Sequence, residues 1–540
     1  TVTASALTYN GFYFNEDNAS NKTSGEIVGD GSLTLKLYYN REEYTVTFLS
    51  HEDEVLKTET VRYQGSATPP PRPSRSGYDF RRWSEDYSNV TSDLVTKARY
   101  RKEEPEPVVQ ESTVVVNGEE QTSGTETSLE VDGEMTATYS GDSEEIEDKI
   151  DQVLQDKEDN NEESLEQNTL EIPIQTTDPD RVTSKLTGDI VKRLEDEKFN
   201  INIKTDSAEY DLPAEEITIT KVAKDLGVEE ESLEKIEVNV EINKSSPSEE
   251  RQAVVRGREE GYRVLVTPLE FKVKAKTTSS SGEEKEVEIK EFKRYVKRRI
   301  PLPEDIDPNK ITTAVLIEKD GKTVHIPTEV SQINGRWYAE INSLTNSKYT
   351  LINNEKKVKN LENHWSKEAV EDLASRKVIE DTKYFLPDAS INRGKFAEYI
   401  TKSLGIYREE VEILEKFTDV EDNDEISPAV YTASKYGIIK GYPDGSFRPE
   451  EKITREEAMV MYSRAMKIVE LRSIEENKIE NYKDKEEVSE WAFEEVKKTI
   501  GAGIFIGTTS EKIEPKGNFT FGEAANTVRN LLIEAELIND

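Results

Sequence analysis

The sequence predicts a multidomain chain: β-rich repeats at the N-terminus, a sheet-dominated α+β middle region, and an all-α C-terminal region. Three observations carry this. The chain has 540 residues, more than the roughly 250–300 that one core usually fills. Period-two alternation of apolar and polar residues dominates up to about residue 355, the pattern of half-buried strands. Beyond it, a helix–loop–helix unit of about 60 residues occurs three times, and repetition at such a period marks repeat architecture.

The elements follow in chain order. "GSLTLKLYYN" (31–40), "YTVTFLS" (44–50) and "LVTKARY" (94–100) alternate as strands, around a proline-rich connection at 67–80 and Trp83. Residues 1–43 read as an incomplete β-rich module and 44–102 as a complete one. "RKEEPEPVVQES" holds a charged linker, 103–111. Residues 112–355 form the α+β region. Its "NG" and "DG" dipeptides signal hairpins, and "TSKLTGDIVKRLEDE" (183–197) reads as a helix. The acidic run 141–169 has a thin helical stripe at Ile146, Ile150, Val153 and Leu154, then becomes a solvated loop. The C-terminal region spans 360–540, with units at about 360–408, 415–472 and 480–540.

The block from Tyr44 to Arg101 contains "YTVTF", "VLKTETVRYQG", "GYDFRRW" and "NVTSDLVTKARY". These segments resemble the Listeria–Bacteroides (internalin) B-repeat, a β-grasp-like module of long Gram-positive surface adhesins. The resemblance implies an adhesin-type stalk. Residues 1–43, with "GFYF" and "LTLKLYY", look like the end of a similar module, so the chain is expected to be part of a longer protein.

Composition excludes several functions. Acidic residues number 111 and basic ones 72, for a net charge of −39. Nucleic-acid binding draws on phosphate neutralisation by basic surfaces, so no nucleic-acid partner is expected. There is no cysteine and only His51, His325 and His364, which excludes disulfides and thiolate metal sites. No apolar run approaches the roughly 18–20 residues of a membrane span, so no membrane insertion is expected. "HEDE" (51–54) lacks the second histidine of a zinc-protease helix. "DVEDNDE" (419–425) lacks the glycine and final glutamate of a calcium loop and reads as a solvated acidic loop. "KEFKRYVKRR" (290–299) reads as one solvated strand face. No catalytic residues, metal site or cofactor emerge, and the chain is expected not to be an enzyme.

The repeat carries the functional reading. Pro387, Pro449 and Pro515 align; Phe385, Phe447 and Ile513 sit two residues before them, and Asn392, Thr454 and Thr520 five after. Those three are preferred helix N-caps. Upstream, Trp365, Glu425 and Trp491 each begin a helical stretch. With "FTDVEDND" and "GYPDGSFRPEEKITREEAMVMYSRAM", the region resembles the S-layer homology family. The resemblance implies three units packed as a pseudo-threefold bundle. It also implies grooves that hold a secondary cell-wall polysaccharide, often through a pyruvylated, anionic sugar. The expected location is extracellular, at a Gram-positive-type wall or S-layer, with neighbouring surface-layer proteins as further partners.

Candidate polysaccharide-binding residues are Arg455, Arg393, Asp419, Asp484, Trp365 and Trp491. "TREE" is a capping box of Thr454 and Glu457, but the cap does not explain Arg455. A cation at a helix N-terminus opposes the macrodipole; a bound carboxylate would account for it through a bidentate guanidinium contact. Arg393 takes the same place in the first unit, whereas the third has Phe521, expected to pack or touch sugar in a weakened groove. The two tryptophans read equally as sugar platforms or core. Asp419 and Asp484 accept sugar hydroxyls or cap a helix. Two rival readings stand beside wall anchoring: the tether of an upstream surface enzyme, and an S-layer lattice subunit.

Overall fold

The computed structural model describes residues 1–102, 105–159, 167–279 and 282–540. Residues 103–104 of the linker and 160–166 of the acidic loop lie outside them. The chain divides into two compact units, Thr1–Glu106 and Pro107–Asp540.

In the first unit, strands β1 (Glu43–Leu49), β2 (Val55–Arg62), β3 (Tyr78–Trp83) and β4 (Leu94–Lys102) form a sheet in the order β2-β1-β4-β3. β1 and β4 run parallel and the other pairs antiparallel. Alternation works as the sequence requires: Val46 and Phe48 point inward to Val61, Trp83, Val90 and Ala98. Phe48 meets Trp83 edge-on, with centroids 4.9 Å apart. Residues 1–42 hold two short strand pairings, Val2–Thr3 with Ser24–Gly25 and Phe12–Phe14 with Tyr39–Arg41, and isolated bridges of Tyr9 with Phe12 and Lys22 with Lys36. The strand expected over 31–40 shrinks to a bridge at Lys36 and the residues from Tyr39 on. Alternation supplies a face, but a strand also needs a neighbour to take its backbone hydrogen bonds.

In the second unit, the hairpin of Val108–Val116 and Glu119–Val131 joins two sheet arms. One arm continues through Glu134–Ser140, Arg181–Thr187, Ile236–Lys244 and Leu269–Thr278 to Lys348–Asn353 and Thr313–Ile317. The other runs through Asn168–Pro173, Phe199–Lys204, Glu209–Pro213, Glu291–Pro301 and Arg336–Thr345. The expected turns form: Asn117–Gly118 and Asp132–Gly133 all have positive φ, the geometry of type I′ hairpins. Helices α1 (Ser143–Asp159), α2 (Gly188–Asp196), α3 (Ile219–Leu226) and α4 (Pro247–Glu260) accompany the sheets. The helix expected over 183–197 begins only at Gly188. Residues 183–187 instead belong to a strand, where Val182, Ser184 and Leu186 alternate inward.

The basic run 290–299 is not simply a solvated face. Arg298 has no exposed surface. It lies in phase with the buried Phe292, Val296 and Ile300. Its guanidinium donates to the carbonyls of Val296 (2.7 Å) and Thr345 (3.0 Å) and sits among the rings of Tyr210, Phe271, Phe292 and Tyr349. Delocalised charge and weak hydration make arginine the cation best suited to such a cage.

The C-terminal region has six α-helices, two per unit: α5 (Lys367–Ser375) and α6 (Arg393–Ser403), α7 (Ser427–Lys435) and α8 (Arg455–Ile468), α9 (Phe493–Gly501) and α10 (Phe521–Glu534). The second helix of each unit packs on the first of the next, α6 on α7, α8 on α9 and α10 on α5. One core runs through all three and includes Leu344 of the sheet body. The bundle is fastened to the sheet at several points. The Tyr295 hydroxyl donates to Leu404 O (2.7 Å) and Arg408 to Thr345 Oγ1 (3.0 Å). The Asn539 side chain accepts from Val330 N and donates to Val330 O, as a paired strand would.

Candidate functional site

The three second helices begin at a common hub. Ile391 N donates to Phe519 O (2.9 Å), Phe519 N to Ile453 O (2.9 Å) and Ile453 N to Ile391 O (3.2 Å). Each residue follows from the repeat: an apolar side chain four residues after the aligned proline, buried at the centre.

A helix start leaves amide donors unsatisfied, and here the units share the task. The side chains of Asn392, Thr454 and Thr520 accept from the third-position amides of Lys395 (2.8 Å), Glu457 (3.4 Å) and Glu523 (3.2 Å). Thr454 and Thr520 complete capping boxes. The first two amides of each helix go to carbonyls of another unit. Arg393 and Gly394 donate to Glu451 and Pro449, Arg455 and Glu456 to Gly517 and Pro515, and Phe521 and Gly522 to Ala389 and Pro387. The amides that would attract an anion are therefore already bonded within the protein.

The same cyclic order governs the side chains. Arg455 is 4% exposed. Its Nε donates to Ile513 O (2.7 Å), Nη2 to Ile506 O (3.2 Å), and Nη1 pairs with the Glu523 carboxylate. Burial depresses its pKa against the opposing pull of Glu523 and Glu514. Arg393 repeats the arrangement one unit earlier: Nε donates to Phe447 O (3.1 Å), Nη1 lies 3.3 Å from Glu457 Oε1, and the guanidinium faces Tyr442. Each arginine thus meets the capping-box glutamate of the next unit. The third step departs from this. Phe521 packs on Phe385 and Tyr399 of the first unit, whose third helix position is Lys395 rather than a glutamate. Arginine stands where the next unit offers a carboxylate, and phenylalanine where it offers an ammonium.

Asp419 and Asp484 are spent on loops. Asp419 accepts from the amides of Phe447 and Arg448 (both 2.7 Å), and Asp484 from those of Ile513 (2.9 Å) and Glu514 (2.8 Å). Burial pushes the Asp484 carboxyl up, but these amides prevail and hold it below the usual range. The tryptophans are different. Trp365 and Trp491 are 60% and 61% exposed at equivalent places, with the His364 ring tilted against Trp365 at 5.4 Å. An open cleft of about 970 Å³, lined in part by Asn392, Lys395, Asp419, Ile426 and Glu450, lies between the first two units and the sheet body. The structure therefore gathers the arginines and aspartates into the frame and leaves the indoles outside it.

Comparisons with known proteins match the second and third of these units. The S-layer homology domain matches residues 416–459 and 481–525, and the Listeria-Bacteroides repeat domain matches 44–100. An amylopullulanase of Thermoanaerobacterium thermosulfurigenes is 33% identical over 190 residues, covering 34% of this chain and 10% of the relative. Exoglucanase XynX of Acetivibrio thermocellus is 34% identical over 176 residues, 32% of this chain and 16% of the relative. A surface layer protein of Brevibacillus choshinensis is 34% identical over 84 residues, 15% of this chain and 8% of the relative. The chain thus spans only a small part of the curated relatives it matches. It carries S-layer homology domains in its C-terminal region and a Listeria-Bacteroides repeat near its N-terminus.

Proposed function

We propose that residues 360–540 hold the chain non-covalently on a bacterial cell wall, outside the cell, by binding a secondary wall polysaccharide. The observation that carries this is the pair of exposed indoles, Trp365 and Trp491, at matching places of two repeat units, the second of them within a matched S-layer homology domain. Indole faces complement the apolar faces of sugar rings, and a large exposed aromatic otherwise costs solubility. The first unit, about 360–408, is taken as a third copy around a pseudo-threefold axis. The cyclic exchange among Ile391, Ile453 and Phe519 supports that reading. Residues 112–355 serve as a spacer, with 1–43 and 44–102 as stalk modules. These residues catalyse nothing in this reading.

A pyruvylated sugar remains the proposed anionic feature of the polymer. The two arginines and two aspartates expected to bind it serve as frame, because each is already held by protein partners. A second reading draws on the amylopullulanase and exoglucanase relatives: this chain is the tether of a longer surface enzyme. Anchoring is common to both.

Co-sedimentation of the full chain with purified walls tests anchoring. Retention on intact walls, loss on walls stripped of secondary polymer, and weakening after removal of pyruvyl groups are the expected results. Equal retention on stripped walls refutes the reading.

A further inference from the structure

The second helix position differs between the units: Gly394, Glu456 and Gly522. Glu456 is a carboxylate only 4% exposed. It lies at the seam between the second and third units. There its Oε2 accepts from Ser489 N (2.9 Å), and its Oε1 from Ser489 Oγ (3.0 Å) and Lys516 Nζ (2.5 Å). Lys516 also donates to the Ser489 hydroxyl. An amide, a hydroxyl and an ammonium thus converge on one carboxylate, a complete anion cradle. Ser489 stands two residues before the exposed Trp491. The cradle is particular to this seam. At the position of Lys516 the other units have Glu450 and Asp388, which engage Asn392 and His364.

We propose that Glu456 is a built-in surrogate ligand. Its carboxylate fills the one inter-unit seam that carries this cradle, and so closes it to the acidic group of a wall sugar. The residue then determines whether this seam reads the polymer's acid. This rests on the wall-binding reading above. A ligand carboxylate competes with a side chain that is already desolvated, bonded and covalently tethered, and a tethered group acts at high effective concentration.

The test uses the full chain and, as probe, a pyruvate-ketal monosaccharide in titration calorimetry, with inorganic sulfate as competitor. Glu456→Ala removes the surrogate, and the expected result is one additional binding equivalent, or affinity raised at least tenfold. Adding Lys516→Ala to that variant should abolish the gain. Glu456→Asp retracts the carboxylate without deleting it; a smaller gain is expected, and this variant carries the test if Glu456→Ala does not fold. Unchanged stoichiometry and affinity in a folded variant overturns the proposal, whatever wall sedimentation shows. A gain in the probe titration alongside failed wall retention instead refutes anchoring alone.

Discussion

Replacing Arg455 by alanine separates a structural arginine from a ligand-binding one. The side chain makes three bonds at a buried seam between units. Removing one partner of a buried ion pair typically costs about 3–5 kcal/mol. Here Glu523 is partly relieved, because its other oxygen still accepts from Thr520 N (2.9 Å) and Oγ1 (3.0 Å). The carbonyls of Ile513 and Ile506 also lose their donor, which offsets that relief. About 3 kcal/mol is therefore the expected loss. For a body of about 150–250 residues, 1 kcal/mol shifts Tm by roughly 2–4 °C. The loss is then about 6–12 °C if the bundle melts alone, and less if the sheet body melts with it. Arg455→Lys should recover only part, since an ammonium cannot reach three acceptors through a planar fork.

The third seam makes the argument reciprocal. Phe521→Arg should destabilise, because it brings a guanidinium towards Lys395 and removes the contacts with Phe385 and Tyr399. Adding Lys395→Glu should restore part of the loss, with a coupling of about 1–3 kcal/mol as found for contacting pairs. Urea denaturation followed by circular dichroism measures both cycles, and calorimetry with wall polymer runs alongside. If Arg455→Ala keeps wild-type stability but loses polymer affinity, the arginine is a ligand group and the inter-unit pairing carries no weight.

Two further predictions follow. Trp365→Ala and Trp491→Ala should each leave Tm within about 2 °C, since exposed substitutions stay within about ±0.5 kcal/mol. Together they should lower wall retention at least tenfold; unchanged retention refutes the sugar-platform role. His325 is 1% exposed, with Nδ1 2.8 Å from Thr313 Oγ1. Burial holds it well below its ordinary pKa of 6.5, helped by the charge of Arg376. The unfolded chain therefore takes up a proton that the fold refuses. The neutral ring's contribution is complete above about pH 6.5 and declines as pH falls below it. Between pH 7.5 and 5, Tm should fall more steeply in the wild type than in His325→Gln; parallel slopes refute this.

What the sequence disclosed depended on how far apart the interacting residues lie. The caps at Asn392, Thr454 and Thr520 were legible because each bonds three residues away. The arginines were not, because Arg455 and Glu523 are 68 residues apart. Comparing each unit with its own helix start leaves Arg455 as an unexplained cation. Comparing the first helix position of each unit with the third position of the next gives Arg–Glu, Arg–Glu and Phe–Lys, and the pattern resolves. Arg298 was overlooked for a related reason: the run was read for charge, although its alternation places Arg298 in phase with Phe292, Val296 and Ile300. The fate of the tryptophans could not be read at all, since a helix-start indole fits core and surface equally well.

The seams also bear on where affinity must come from. If the two arginines fasten the units together, an anionic sugar must find its counter-charge among cations outside the frame. The lysines of the cleft between the first two units are themselves engaged: Lys395 and Lys402 with Glu398, and Lys377 with Glu260. A charged ligand there gains less than a free ammonium would give, because it must compete with carboxylates already in place. In a chain of net charge −39, the long-range field also opposes its approach. Stacking on exposed indoles carries neither penalty and is insensitive to salt. Under the proposed reading, recognition would draw most of its strength from sugar faces, with the acid contributing selectivity among polymers rather than the bulk of the affinity. That division would let a repeat exchange arginine for phenylalanine in one copy and glycine for glutamate in another while keeping Trp365 and Trp491 exposed.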